Sequence, residues 1–391
     1  MLSAVKKTSL KRVYFMKKIA LIGSTGSIGK QVLNVVRNNP DKFSVASLAA
    51  GNNLTLFTEQ VKEFKPLVAT AIKCPNEKLP DGTEYFFGET AFKDAIISEA
   101  DVVVVALVGF SGIIAVKEAI DKGLNIALAN KESIVAGGEL IMPAVKKSGI
   151  TLAPIDSEHS AVWQALGFNF DTPFKKIILT ASGGALRDYD AERLKTVTFK
   201  EALSHPNWNM GSKITVDCAT LINKGLEVIE AKWLYNTSFD KIDVVVHRES
   251  IIHSMVEFND NAIIAQLGYP SMETPISLAL SYPERLKGDV ESVDFVSLKK
   301  LSFEAPDVKR FPCFSLAVEA GKKGGLYPAV LIGADDAAVK LFSEGKIGYC
   351  DIYTAISGAL DKFSGGKINS FDDITEAAEF ARRYVESKFG V

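Results

Sequence analysis

Asp156 and Glu158 stand two residues apart at the end of an apolar run, Ile150–Ile155. If strand geometry continues there, its two-residue period puts both carboxylates on one face. Asn223, Lys224, Glu227 and Glu230 follow in a stretch with helical apolar spacing, about Ala219–Tyr235. At 3.6 residues per turn they share a stripe of about 120°. Leu221, Ile222, Leu226, Val228 and Ile229 fill much of the remaining surface, so packed protein is expected to enclose that stripe. A third carboxylate from this stripe, converging on Asp156 and Glu158, would make an all-oxygen site suited to Mg²⁺ or Mn²⁺. Lys224, Asn223 and nearby hydroxyls suit a phosphate group. Each piece also has a plainer reading: a solvated strand end for the DxE, an exposed salt-bridged face for the helix. Chemistry requires that the pieces meet.

A second group of residues points to a nucleotide. Gly23-Ser24-Thr25-Gly26-Ser27-Ile28-Gly29 joins an apolar strand, Ile19–Ile22, to a helical stretch, Ser27–Asn38. Glycines let phosphate approach backbone N–H groups, and the helix N-terminus favours the anion. The next strand, Phe43–Ala49, ends in Ala50-Gly51-Asn52-Asn53, without the carboxylate that usually selects NAD. That composition favours NADP, with the asparagines as hydrogen-bond donors. Lys131 and Glu132 directly follow the run Asn125–Ala129 and are expected to face the same crevice; a helix-start charge pair is the alternative. The polar loop Ser182–Gly211 carries His205 and Trp208, a composition that suits a lid and also fits an ordinary packing anchor.

These residues need a scaffold, and the chain supplies one. Its 391 residues imply two or three domains. With 47% hydrophobic residues it is not disordered, and a net charge of −2 gives no bulk signal for nucleic acid or anionic membranes. No apolar run is long enough to span a bilayer. Cys74, Cys218, Cys313 and Cys350 lie far apart with no CxxC pair, which argues against a disulfide framework. Residues 1–15 read as an extension before a start at Met16, and 16–155 as alternating strands and helices, including Val102–Val108 and Ile113–Lys122, that form a parallel sheet. Residues 156–290 hold all four histidines and all three tryptophans, a strand at Lys176–Thr180, and a hairpin from Ser254–Phe258 and Ala262–Leu267. Residues 291–310 read as a linker. Residues 311–391 read as a bundle of four helices, at about Phe314–Lys322, Pro328–Ser343, Tyr349–Phe363 and Asp372–Lys388.

The strings GSTGSIG, ALANKES, PIDSEHSAVWQAL, TASGGALRD, SHPNWNMG, VDCATLINKGLEVIEA and SIIHSMVEF, in this order, resemble the 1-deoxy-D-xylulose 5-phosphate reductoisomerase family over nearly the whole chain. The resemblance implies an α/β protein: a Rossmann-like NADPH domain, an α+β catalytic domain with a flexible flap, and a C-terminal helical bundle. It implies a cytoplasmic homodimer that binds no nucleic acid or membrane. Its reaction would be NADPH-dependent conversion of a phosphorylated sugar, 1-deoxy-D-xylulose 5-phosphate, to 2-C-methyl-D-erythritol 4-phosphate, the entry step of the non-mevalonate isoprenoid route. Mg²⁺, Mn²⁺ or Co²⁺ would be required.

Residue by residue, the resemblance gives Asp156, Glu158 and Glu227 as metal ligands. Lys131, Ser157, Ser182, His205, Asn223 and Lys224 match substrate contacts, with Glu158, Glu227, Cys218, Trp208 and Met272 beside them. Lys131, Glu158, His205 and His253 are the catalytic candidates. Thr25, Gly26, Ser27, Ile28, Gly51, Asn52, Asn53, Asn130, Glu132 and Gly211 match the cofactor site. Three departures stand out. Cys218 replaces a usual serine on the phosphate, Asn52 replaces a frequent lysine, and His247-Arg248-Glu249-Ser250 replaces His-Pro-Gln-Ser. Another NADP-dependent oxidoreductase of the same fold, such as a paralogue, and a non-enzymatic NADP sensor are the rival readings.

Overall fold

The computed structural model describes residues 16–390. The expected extension at 1–15 lies outside the described residues. The first half of the chain is a doubly wound layer. Its elements are β1 (Lys17–Ile22), α1 (Ser27–Asn38), β2 (Phe43–Ala50), α2 (Leu54–Phe64), β3 (Val68–Ala71), β4 (Glu84–Phe87) and α3 (Ala91–Asp94), then β5 (Val102–Val105), α4 (Ser111–Asp121), β6 (Asn125–Leu128), α5 (Lys131–Ser148) and β7 (Leu152–Pro154). The seven strands pair in parallel in the order β4-β3-β2-β1-β5-β6-β7. β1 and β5 adjoin although far apart in sequence, so the order reverses between them. The crevice beyond their carboxyl ends is where a nucleotide binds in such sheets.

The near-continuous apolar strands, such as Val102–Val105, are buried on both faces. Sequence periodicity gives β1, α1, β2, β5 and β6 but not β3, β4 or α2. Length does not separate them, since β5 and β6 are equally short; β3, Val68-Ala69-Thr70-Ala71, has no run of large apolar residues, and β4 alternates exposed and half-buried positions at the sheet edge.

The second layer comprises α6 (Ser157–Ala165), β8 (Lys176–Ala181), the single-turn helices α7 (Ala191–Leu194) and α8 (Phe199–Ala202), α9 (Ser212–Ala219), α10 (Ile222–Leu234), β9 (Ile242–Val246), β10 (Ile252–Glu257), β11 (Ile263–Leu267) and α11 (Glu273–Ser281). Its sheet runs β11-β10-β8-β9; β10 and β11 form the expected hairpin, and β9 lies parallel to β8. The helix expected from Ala219 begins only at Ile222, because Leu221 adopts φ +59 between α9 and α10. A branched residue there is strained, and the result is a sharp break rather than one long helix.

After α11 the chain forms a short α12 (Phe295–Leu298). It then bridges back to β9 through Glu304 and Val246, so this linker-like stretch is tied to the second sheet. The four expected helices follow as α13 (Cys313–Lys323), α14 (Tyr327–Ser343), α15 (Asp351–Lys362) and α16 (Phe371–Lys388). α14 is buried among α15, α16 and α5. α11 turns back to the first layer: Ile276, Leu278 and Leu280 pack with Ile19 and Leu21, and Lys17 donates to the carbonyls of Leu280 and Tyr282 at 3.0 Å each.

Candidate active site

Asp156 ends the β7 segment, but strand geometry does not continue through Glu158. Asp156 is instead the N-cap of α6, its Oδ1 accepting from the backbone N–H of Glu158 at 3.0 Å and of His159 at 3.2 Å. An aspartate that satisfies the first free N–H groups of a helix favours turning over extension. The pairing of the two carboxylates survives for this different reason: the cap fixes Asp156, and Glu158 occupies the first turn. Across from them α10 presents Asn223, Lys224 and Glu227, all buried. One carboxylate oxygen from each of Asp156, Glu158 and Glu227 lies within 4.8 Å of the other two.

Two lysines complete this cluster. Lys131, at the start of α5, donates to Asp156 at 3.0 Å and Asn223 at 2.8 Å and stands 3.5 Å from Glu227. Lys224 donates to Glu158 at 2.8 Å and also to Glu227, while Asn223 donates to Glu227 at 2.6 Å. Ser157 donates to the other oxygen of Glu158. Burial pushes the Asp156 carboxyl up, but Lys131, His159 and Lys224 outweigh it and hold it below the usual carboxylate range. Burial and the charge of Glu227 raise the Glu158 carboxyl. Three acids against two ammonium groups leave one negative charge in excess. Stripping the partner from one such buried charge costs roughly 3–5 kcal/mol. The donor set is oxygen only, with no sulfur or imidazole among the three, and it fits a hard divalent cation.

Glu230 belongs to the same stripe of α10 but pairs with His159 of α6, 3.1 Å away. His159 has no exposure; burial lowers its pKa, but Glu230 and Asp156 raise it more, to about 9.

The expected lid begins at Ser182 after β8 and closes at Gly211 before α9. Ser182 Oγ and His205 Nε2 are 2.9 Å apart. The backbone N–H groups of Asn207 (3.2 Å) and Trp208 (2.9 Å) donate to His205 Nδ1. Nδ1 is therefore the acceptor and the neutral ring carries its proton on Nε2, aimed at Ser182. Burial and the charge of Arg187 push His205 down to about 4. The Trp208 ring meets His253 edge-on, with centroids 6.0 Å apart.

The Arg248–Ser250 turn anchors this lid. Arg248 pairs with Asp188 and Glu304 at 2.6 Å each, and its carbonyl accepts from Asn207 at 2.7 Å. Glu249 accepts from Ser302 Oγ at 2.8 Å. The unusual Arg248-Glu249 pair thereby fastens the turn to the segment 302–304, whose Glu304 bridges to β9.

One cavity of about 600 Å³ joins the carboxylate cluster, the lid and the nucleotide crevice. Gly26, Ser27 and Ile28 line its crevice end, opposite Ala106–Val108 after β5. Gly23 has φ +97, and a Cβ there would lie 2.5 Å from the Ala106 carbonyl; one on Gly29 would lie 2.2 Å from the Gly23 carbonyl. Both positions hold the turn tight against α1 and the neighbouring strand. Residues 19–138 match the family model 1-deoxy-D-xylulose 5-phosphate reductoisomerase, and residues 152–235 and 267–384 match two C-terminal domain models of that family. The enzyme of that name from Chloroherpeton thalassium is 45% identical over 95% of this chain and 98% of its own length. The one from Pelotomaculum thermopropionicum is 47% identical over 94% and 97%. The chain belongs to the 1-deoxy-D-xylulose 5-phosphate reductoisomerase family. Among solved structures, the Zymomonas mobilis reductoisomerase in complex with NADPH superposes with a TM-score of 0.87 and 36% identity, over 96% of this chain and 99% of that one. A DOX-P reductoisomerase in complex with NADPH, fosmidomycin and magnesium gives 0.88 and 33%, over 96% and 98%.

The remaining residues carried over from the reductoisomerase family fall in three places. Ser182, His205, Trp208, Gly211, Cys218, His253 and Met272 line the cavity together with Lys131, Glu132 and the cluster. Asn130 does not line it. It is the buried N-cap of α5, donates to the carbonyls of Leu107 (3.1 Å) and Gly109 (2.9 Å), and braces the loop that does. Glu132 likewise accepts from the Gly109 N–H at 3.1 Å. Thr25, in the turn after β1, and Gly51, Asn52 and Asn53, after β2, do not line the cavity; Asn53 caps α2 by accepting from Leu56 N–H at 3.2 Å. Sequence reasoning overlooks Ala106–Val108 and the trio Lys213, Asp217 and Asp335, which also line the cavity. The four-residue spacing of Lys213 and Asp217 was a usable helical signal. Asp335, 122 residues from Lys213, gave none.

Proposed function

We propose that this chain catalyses the rearrangement and NADPH-dependent reduction of 1-deoxy-D-xylulose 5-phosphate to 2-C-methyl-D-erythritol 4-phosphate, the entry step of the non-mevalonate isoprenoid pathway. The observation that carries this reading is the meeting of Asp156, Glu158 and Glu227 in one cavity with the glycine turn of the first sheet. The magnesium and NADPH of the related crystal structures fit that pairing. A bound divalent cation supplies Lewis acidity to the carbonyl and hydroxyl oxygens of the sugar, and bound NADPH supplies the hydride.

The chain's own residues do the rest. Asp156, Glu158 and Glu227 hold the cation, and Gly26, Ser27 and Ile28 cradle the cofactor at the N-terminus of α1. Ser182, Asn223 and Lys224 take the substrate phosphate, with Cys218 beside them. Lys131 keeps an ammonium proton near the reacting oxygens, and Glu158 is the second group placed to hold or move one. Closure of the Trp208 lid with His205 and His253 excludes water and retains reactive fragments. Met272 lines the same chamber. The domain limits at 155, 290 and 310, a homodimeric assembly and a cytoplasmic location complete the reading. Among the described residues no helix is long and apolar enough to cross a membrane.

Purified protein supplied with the substrate and NADPH is expected to consume NADPH and form the branched polyol phosphate. EDTA should stop the reaction and Mg²⁺ or Mn²⁺ should restore it. An alcohol product with an unrearranged skeleton would move the chain to another oxidoreductase of the same fold. NADPH binding with no turnover under any metal would make it a sensor.

A further inference from the structure

A second charged cluster lies at the base of the lid and takes no part in the mechanism above. Lys213, in the first turn of α9, donates to Asp217 at 2.7 Å and to Asp335 of α14, and stands 3.4 Å from Asp336. Asp217 is 4% exposed and Asp335 1%. Each of these two aspartates spends its Oδ2 on Lys213, and the Oδ1 atoms of both are buried with no hydrogen-bond partner. Two ionised carboxylates are acceptors only and cannot satisfy each other, whereas one proton turns one of them into a donor. The charge count points the same way, because Lys213 also faces Asp336 and Glu132, giving four carboxylates around one ammonium. Burial and mutual repulsion raise both carboxyls above the usual aspartate range.

We propose that Asp217 and Asp335 share a single proton, and that this carboxyl–carboxylate bond latches the hinge of the lid, α9, onto α14. α9 is capped by Gly211, where the lid ends, carries Cys218 in its last turn and leads into the break at Leu221 that precedes Asn223 and Lys224. Losing the proton leaves two buried negative charges on one lysine and loosens that hinge. The titratable and charged groups facing the pair are Lys213 and Cys218 on α9, Asp336 on α14 and Cys313 on α13, with Glu132 of α5 beside Lys213 and Asp336.

The direction of the pH effect follows from linkage. Both folded-state pKa values lie above the unfolded value, so the native state binds the extra proton. The contribution is complete below the unfolded pKa and disappears as pH rises through the folded one. Asp335→Asn removes this dependence, because its amide N–H donates to Asp217 Oδ1 without any shared proton. The test compares the two full-length proteins in melting temperature and in amide exchange of α9 from about pH 5 to about pH 9. The melting temperature of the natural chain should fall more steeply with pH than that of Asp335→Asn. At the alkaline end its α9 amides should exchange about tenfold faster than the variant's at the same pH. If Asp335→Asn does not fold, Asp217→Asn carries the same expectation. Parallel melting curves with equal α9 exchange would overturn the proposal. No catalytic rate enters the comparison, so it is independent of the assigned reaction.

Discussion

Lys224 Nζ stands 2.8 Å from Glu158 Oε1, an ammonium of α10 against a carboxylate of α6. The same ammonium bonds Glu227 one turn along its own helix, so the two helices that carry the three clustered carboxylates are joined through one charge. Glu227→Gln keeps the size of the side chain and the bond from Asn223 but removes a ligand charge. Turnover is expected to drop by about a hundredfold or more, with a higher Mg²⁺ concentration needed for half-activation. A variant with unchanged turnover and metal requirement would remove Glu227 from the cation site.

Burial and the charge of Glu227 push the Cys218 thiol up to about 12, so it meets the cavity as a neutral and weak donor. Cys218→Ser should lower the KM for the phosphorylated substrate with little change in turnover. An unaltered KM would show that this position does not touch the phosphate.

His205 has a folded pKa of about 4, below its usual 6.5, and works as a neutral ring. Its contribution to stability is therefore present above the unfolded pKa and is lost as pH falls through about 4. The acid limb of the activity profile should not follow this imidazole at pH 6–7. NMR titration of the His205 ring is the direct check, and an inflection near 6.5 would overturn the lowered pKa.

Gly29→Ala forces a methyl group to 2.2 Å from the Gly23 carbonyl. Strain of about 1–3 kcal/mol is expected, because the crowding atom is backbone and cannot swing aside. The thermal midpoint should fall and NADPH should bind more weakly in a fluorescence titration. Normal affinity for NADPH would separate this turn from the cofactor site.

Much of this was legible in the sequence, for identifiable reasons. Gly23, Gly26 and Gly29 between an apolar strand and a helix mark the nucleotide turn, and the i, i+4 spacing of Asn223 and Glu227 puts both on the inner face of α10. The four C-terminal helices declare themselves through apolar periodicity. Other features depend on information that spacing does not carry. Asp156 as a helix cap requires knowing that its side chain, not its backbone, decides the local fold. Glu230 shares the stripe of Glu227 yet pairs with His159 of α6, a partner that helical spacing alone does not name. Asn52 and Asn53 do not line the cavity, and strand order alone could not say how far the chamber extends.

The return of α11 to the first sheet has a consequence for how the molecule can be divided. Ile276, Leu278 and Leu280 finish an apolar face begun some 250 residues earlier by Ile19 and Leu21. Cut after residue 155, the amino-terminal piece would expose part of that face to water and lose the carbonyls that hold Lys17. The nucleotide-binding half is thus not a detachable cassette; it is closed by a segment that the chain reaches only after passing through the catalytic sheet.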